Sequence, residues 1–96
     1  MLRSELIDQM HKDNEHLTRR DVERVVAVIF ESIIQTLEKG ARVELRGFGA
    51  FSTRHREARI GRNPRTGGQV NVEEKHVPFF RAGKELKHRI DATREG

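Results

Sequence analysis

The feature that most constrains the fold is a stripe of apolar residues between Thr18 and Gly40. Val22, Val25, Val26, Ile29, Phe30, Ile33, Ile34 and Leu37 recur at steps of three and four, the spacing of one helix face. Ahead of them, Thr18-Arg19-Arg20-Asp21 has the form of a capping box with Asp in place of the usual Glu. Gly40 supplies the stop, and Glu23, Arg24 and Glu31 occupy other faces. Eight large apolar side chains on a helix of about twenty residues form a wider stripe than one short neighbouring helix covers. A self-complementary surface buried between two chains accounts for it economically. Coverage by the strands beyond Gly40 is the alternative. Nothing in the stripe suggests a cofactor, and none is expected.

The rest of the chain offers little further core. Its 96 residues allow one domain. Hydrophobic residues are 34%, against roughly 45–50% in globular chains when glycine is counted. A lone domain of this size is already marginal, so part of it is not core, or another chain completes the core. A shorter helix is expected first, from Leu6, Ile7 and Met10, with Ser4 as N-cap, Glu5 and Asp8 in the first turns, and a break around residues 12–16. There is no cysteine, which removes disulfides, thiolate metal sites and a cysteine nucleophile and suits a reducing compartment. No apolar run approaches the ~18–20 residues of a membrane span. Met1-Leu2-Arg3-Ser4-Glu5 lacks a signal-peptide stretch. A cytoplasmic protein with no membrane partner is expected.

Charge is unevenly spread. Residues 1–40 hold 6 Lys/Arg against 8 Asp/Glu, residues 41–65 hold 7 against 2, and residues 66–96 hold 6 against 5. A basic surplus concentrated in one segment points to a polyanion, nucleic acid first; a solvated basic face is the bland alternative.

That segment reads as sheet plus arm. Arg42-Val43-Glu44-Leu45-Arg46 alternates, with Val43 and Leu45 inward and Glu44 and Arg46 outward on one face. Gly47-Phe48-Gly49-Ala50-Phe51 follows as a tight turn between strands. It is no phosphate cradle, because no helix start with Lys and Ser/Thr succeeds it. Phe48 and Phe51 are expected in the core, joined later by Val77, Phe79 and Phe80. Between them, Arg54, His55, Arg56, Arg59, Arg62 and Arg65 have almost no apolar company. Gly61-Arg62-Asn63-Pro64-Arg65-Thr66-Gly67-Gly68 is dense in turn-formers. Two polar strands around such a turn make a long hairpin with nothing hydrophobic beneath it, marginal alone and ordered by a partner. Strands of about ten residues reach ~33 Å, close to one turn of DNA at ~34–36 Å. Such a ribbon can lie in a groove with its arginines on phosphates. Pro64, lacking an N–H, can wedge between base steps at the tip, or simply form an Asn-Pro turn.

A terminal helix from about Gly83 is expected to turn Leu86 and Ile90 inward and Lys84, Lys87 and Arg89 outward. Its first donors, beside Arg81 and Lys84, could hold a phosphate. Enzyme readings find no support. His11, His16, His55, His76 and His88 make no zinc spacing, and Ser4, Ser32 and Ser52 lie outside any nucleophile elbow. No catalytic residue, metal ligand or small-molecule substrate is expected.

Three stretches together resemble the HU and integration host factor family of bacterial DNA-bending proteins. They are Gly47-Phe48-Gly49-Ala50-Phe51, Gly61-Arg62-Asn63-Pro64-Arg65-Thr66-Gly67 and Phe80-Arg81-Ala82-Gly83-Lys84-Glu85-Leu86. The likeness runs along essentially the whole chain. Val43-Glu44-Leu45-Arg46 and His76-Val77-Pro78 are most similar to the beta-subunit branch of integration host factor; Ala82 departs from that branch, where proline is commoner, and matches HU members. The resemblance implies an α+β fold with a helical N-terminal half, a three-stranded antiparallel sheet with a long protruding hairpin arm, and a short C-terminal helix, forming an intertwined dimer. It implies one domain over 1–96: a helical dimerisation part at 1–40, the sheet at 41–80 with its arm at about 53–76, and the C-terminal helix and tail at 81–96. It implies binding and bending of double-stranded DNA through the minor groove, the mode known for HU and integration host factor, in recombination, replication and transcription regulation. The partner subunit would be a related alpha chain, or a second copy in an HU-like packaging protein at the nucleoid. The DNA-binding set is then Arg42, Glu44, Arg46, Arg54, Arg56, Arg59, Arg62, Asn63, Pro64, Arg65, Lys75, Arg81, Lys84 and Lys87. Arg46, braced by Glu44, would sense groove sequence, and Pro64 would be the wedge. The dimer core would comprise Val26, Ile29, Phe30, Ile33, Leu37, Phe48, Phe51, Phe79 and Phe80.

Overall fold

The computed structural model describes residues 1–95, so the last residue of the expected tail, Gly96, lies outside the described residues. In chain order the elements are α1 (Arg3–Asp13), α2 (Arg19–Glu38), β1 (Val43–Leu45), β2 (Gly49–Arg56), β3 (Arg59–Arg62), β4 (Gln69–Val72), β5 (Lys75–Ala82) and α3 (Lys84–Glu95). The fold is α+β, with the helical N-terminal half, antiparallel sheet and C-terminal helix that the sequence led us to expect. Contacts divide the chain into two compact units, Met1–Gln35 and Thr36–Gly96.

In the first unit, α1 does not begin at Ser4. Leu2 is extended, and its N–H donates to Glu5 Oε1 at 2.9 Å. The glutamate three residues on thus closes the first turn, and Ser4 lies inside the helix. At the other end Asn14 stops α1, its Nδ2 donating to the Met10 carbonyl at 2.9 Å. The break accordingly falls slightly later than expected. α2 opens with the anticipated capping box: Asp21 N–H donates to Thr18 Oγ1 at 3.1 Å, and Thr18 N–H to Asp21 Oδ2 at 3.4 Å. Arg19 pairs with Asp8 of α1 and, at 3.3 Å, with Glu23. The hydrogen bond to Asp8, and then its charge, hold the Arg19 pKa above its ordinary value. The pair is exposed, so it orients the helices more than it stabilises them.

Ile7, Val22 and Val26 are the fully buried hydrophobic side chains among the described residues, with Leu6, Met10 and Leu17 packed on them. The remaining stripe is not enclosed by one chain. Ile29 is 51% exposed, Ile34 47% and Phe30 37%, and the Arg3 guanidinium lies 5.2 Å from the Phe30 ring. Of the expected dimer core, Val26 alone is interior to a single chain.

The second unit begins where α2 ends. Gly40, at φ +79, donates to the Leu37 carbonyl and Ala41 to that of Thr36, the paired closure of a Schellman motif. The sheet has the order β1-β2-β5, antiparallel throughout. Phe48 N–H donates to the Leu45 carbonyl at 2.9 Å across the turn, with Gly47 at φ +85. Gly49 is required for a different reason: a Cβ there would sit 2.6 Å from both the Arg81 carbonyl oxygen and the Phe80 ring. β1 is only three residues long, so Arg46 lies beyond it, and Leu45, expected inward, is 40% exposed. Gly83 N–H donates to the Phe48 carbonyl at 2.8 Å and anchors the start of α3 to the turn. Leu86 is half-buried on α3, whereas Ile90, also expected inward, is 48% exposed.

The arm is one hairpin in register but not one ladder. The pairing that sets Arg56 opposite Lys75 continues unchanged to Arg59 opposite Val72 and Arg62 opposite Gln69. Pairing lapses at residues 57–58 and 73–74, where that register would set Glu57 directly against Glu74. Like charges directly opposed destabilise a ladder, and the expected uninterrupted hairpin is therefore two.

The caps give a direct check of the helix starts. Thr18→Ala should cost about 1 kcal/mol, while Ser4→Ala should change stability by less than about 0.5 kcal/mol. Urea denaturation of the two variants measures both; equal losses would return the cap of α1 to Ser4.

Candidate functional site

Directly opposed residues of an antiparallel pair project from the same face, so the register sorts the sheet into two unlike surfaces. Val43, Phe51 and Phe80 stand in a row on one, with Leu45, Gly49 and Ala82 beside them. The Phe80 ring centroid is 4.7 Å from that of Phe51 and 5.3 Å from that of Phe48. On the other face Glu44, Ala50 and Arg81 stand in a row, followed by Ser52 with Phe79 and Arg54 with Val77. Phe79 therefore parts company with the other three phenylalanines. The Arg54 guanidinium lies 3.5 Å from its ring centroid, a cation–π contact that fixes the arginine's direction.

An open concavity of about 570 Å³ is lined by Arg42, Glu44, Arg46 and Arg81 among others. Its ion pair is not the expected one. Arg42 Nη2 donates to Glu44 Oε1 at 2.8 Å, and Arg46, one residue past the strand, makes no hydrogen bond or ion pair within the chain. The short strand explains this: alternation stops at Leu45, and with it the shared face that was to bring Glu44 to Arg46. One basic group is thus partly neutralised, and two remain free to meet an anion.

Beyond the sheet, Arg56 stands opposite Lys75, and His55 opposite His76 with ring centroids 5.0 Å apart. His55 Nε2 lies 3.0 Å from Glu74 Oε2. All three carboxylates of the arm, Glu57, Glu73 and Glu74, sit at the lapse in pairing. From Arg59 to Val72 there are three arginines, Arg59, Arg62 and Arg65, and no Asp or Glu. At the tip, Asn63 N–H donates to the Gly68 carbonyl at 2.8 Å and Gly67 N–H to the Asn63 carbonyl at 2.7 Å. Asn63 Oδ1 accepts from Arg65 N–H at 2.8 Å. Asn63 is spent on holding the turn, while Pro64 and Arg65 are exposed. Gly67, at φ +72, meets the left-handed geometry that closes the loop.

Lys84 and Lys87 are exposed on the first turns of α3. The same turn carries Glu85, whose carboxylate lies against Gly47 and offsets part of the positive potential at the helix start. Among the described residues, no His, Cys, Asp and Glu side chains group to hold a metal, and no helix is long and apolar enough to cross a membrane. Sequence reasoning missed Gln69 and Asn71, which alternate with Val70 and Val72 along β4; the period-two pattern was present but short.

The family model described as "Bacterial DNA-binding protein" matches residues 1–91. HU from Anabaena, in a cocrystal structure with DNA, is similar at a TM-score of 0.84 and 34% identity, over 94% of this chain and 97% of that one. HU from Thermotoga maritima is similar at 0.64 and 29% identity, over 94% and 98%. A mutant of transcription factor 1, solved in solution, is similar at 0.62 and 29% identity, over 96% and 92%.

Proposed function

This chain belongs to the bacterial DNA-binding protein family, and from that premise we propose that it bends double-stranded DNA as one subunit of a dimer, with its arm in the minor groove and Pro64 as a wedge. The observation that carries the reading is the arm's outer ribbon. It is cationic throughout from Arg59 to Val72, it lacks apolar support, and it ends in a self-bonded turn that presents Pro64 to solvent. Phosphate neutralisation by the arginines supplies affinity, and a proline ring enters a base step without stranding a backbone donor. Bending a site of 20–30 base pairs by 40–90° costs on the order of 1–6 kcal/mol, which these contacts must offset. The sheet's basic face, with Arg42, Arg46, Arg54 and Arg81, then lies against the phosphates between the arms. Arg56, Lys75, Lys84 and Lys87 extend that track, and Glu44 holds Arg42 in place.

The half-open apolar faces favour a second chain. Ile29, Phe30, Ile33 and Leu37 on α2, with Phe48, Phe51 and Phe80 on the sheet, form the surface buried between subunits. The Glu44-Leu45-Arg46 sequence supports a beta-type subunit of integration host factor, paired with an alpha-type chain in recombination, replication and transcription. In that reading the free guanidinium of Arg46 reads the site. A homodimeric HU-like packaging protein at the nucleoid is the second reading, favoured by the likeness to HU at 34% identity and by Ala82.

Energy transfer between dyes at the ends of a ~35-base-pair duplex tests the bend. The wild type should shorten the end-to-end distance, and Pro64→Ala should lose most of that change while Thr53→Ala keeps it. Equal effects would remove the wedge. Selection from a randomised duplex pool separates the two readings: a motif that disappears in Arg46→Ala supports the specific subunit, and no enrichment supports the HU-like one.

Ile29→Lys tests the dimer. The side chain is 51% exposed in one chain, so a monomeric protein should tolerate the change within about 0.5 kcal/mol. In a dimer it buries a charge, and sedimentation should show dissociation with a lowered melting temperature. An unchanged mass and melting curve would overturn the interface.

A further inference from the structure

The outer ribbon of the arm has two faces, and they differ in chemistry. Opposed pairs place Ile60 with Asn71 and Arg62 with Gln69 on one side, and Arg59 with Val72 and Gly61 with Val70 on the other. On the second side the groups cover one another. The Cβ position of Gly61 is 3.5 Å from Val72 Cγ2 and 3.7 Å from Arg59 Nη1, so the arginine lies back along this face, and Val72 is half-buried. On the first side Ile60 is 67% exposed. Arg62 reaches only the Gly67 carbonyl at the tip, at 3.4 Å, and the side chains of Gln69 and Asn71 make no hydrogen bond within the chain.

Resting on the minor-groove reading above, we infer that the side formed by Ile60, Arg62, Gln69 and Asn71 is the reading surface of the arm, and that it fits the minor groove over A·T base pairs. The floor there offers only acceptors, adenine N3 and thymine O2, whereas a G·C pair adds the guanine 2-amino donor. Arg62 can only donate, and the two amides carry donors of their own, so all three match an acceptor-lined floor. Ile60 acts by exclusion. Pressed onto a guanine amino group it expels water and leaves that donor unpaired, and over A·T no such donor exists. Charge points the same way, since A·T tracts narrow the groove and deepen its negative potential, and the ribbon holds three arginines and no carboxylate. The opposite side offers two valines and no amide, and its one cation is folded along the backbone.

The test uses the full chain and three ~35-base-pair duplexes at physiological salt, identical except where the arms lie: A·T, G·C, or inosine·C, in which only the 2-amino group is removed. The wild type should prefer A·T to G·C by about tenfold, the worth of one unpaired donor, and inosine should restore most of that loss. Ile60→Ser should shrink the inosine gain to about twofold or less, since a hydroxyl can pair with the amino group. Gln69→Ala with Asn71→Ala should weaken A·T binding while Val70→Thr leaves all three affinities in their wild-type order. Ile60, Gln69, Val70 and Asn71 are exposed, and melting curves confirm that the variants fold. A wild type indifferent to inosine, or a gain lost in Val70→Thr and kept in Ile60→Ser, overturns the assignment. Energy transfer with Pro64→Ala, run alongside, tells the two failures apart. If the bend still depends on Pro64, the arm reading stands and only the face is wrong; if it does not, both fall.

Discussion

Nearly every functional side chain from Gly49 to Ala82 takes its position from one antiparallel register. Because side chains alternate, a slip of one residue would exchange the two faces. Phe51 and Phe80 would turn to the phosphate side, and Arg54 and Arg81 to the apolar one. Three local features hold the frame. The Leu45–Phe48 turn fixes where β2 begins, and Gly49 admits the Phe80 ring and the Arg81 carbonyl where any side chain would collide. At the far end the Asn63–Gly68 hydrogen bond closes the tip in the same frame. The arm therefore inherits its facing from the sheet, across a gap in pairing that would otherwise free it to slip.

The small number of enclosed side chains follows from the same economy of sequence. With 34% hydrophobic residues, a chain that spends four phenylalanines on the sheet and eight apolar residues on α2 has little left to cover either. Ordering some ninety residues without enclosing those groups is unfavourable. A second chain supplies the missing surface without adding length. Self-association then follows from the composition, and two arms come with it.

Long periodic elements were legible in the sequence, and side-chain partners were not. α2, its Thr18–Asp21 box and its Gly40 closure could be read because each depends on residues within one or two turns. The sheet order and the Gly-Phe-Gly turn followed from alternation plus resemblance. Ser4 was misread because a serine near a helix start usually caps it, but Glu5 reaches Leu2 first. The Glu44–Arg46 brace failed because β1 ends one residue sooner than alternation suggested, which hands Glu44 to Arg42. Phe79 was grouped with Phe80 although adjacent strand residues must face opposite ways. The lapse at Glu57 and Glu74 could not be seen at all until the register paired residues seventeen apart.

That lapse also gives the hairpin its division of labour. Inside it, β2 and β5 are backed by β1 and by aromatic packing; outside it, β3 and β4 have only each other. Collecting Glu57, Glu73 and Glu74 at the boundary keeps carboxylates off the outer ribbon, where each would oppose a phosphate. His55, 3.0 Å from Glu74 and stacked near His76, keeps one of those carboxylates turned toward the sheet. A four-pair ribbon without apolar support is weak in water, and weakness here is compatible with purpose. A stiff, acid-bearing arm would resist the groove it enters, whereas one that is cationic to its tip and tied to the sheet by register alone can follow a curved duplex while still presenting a fixed face.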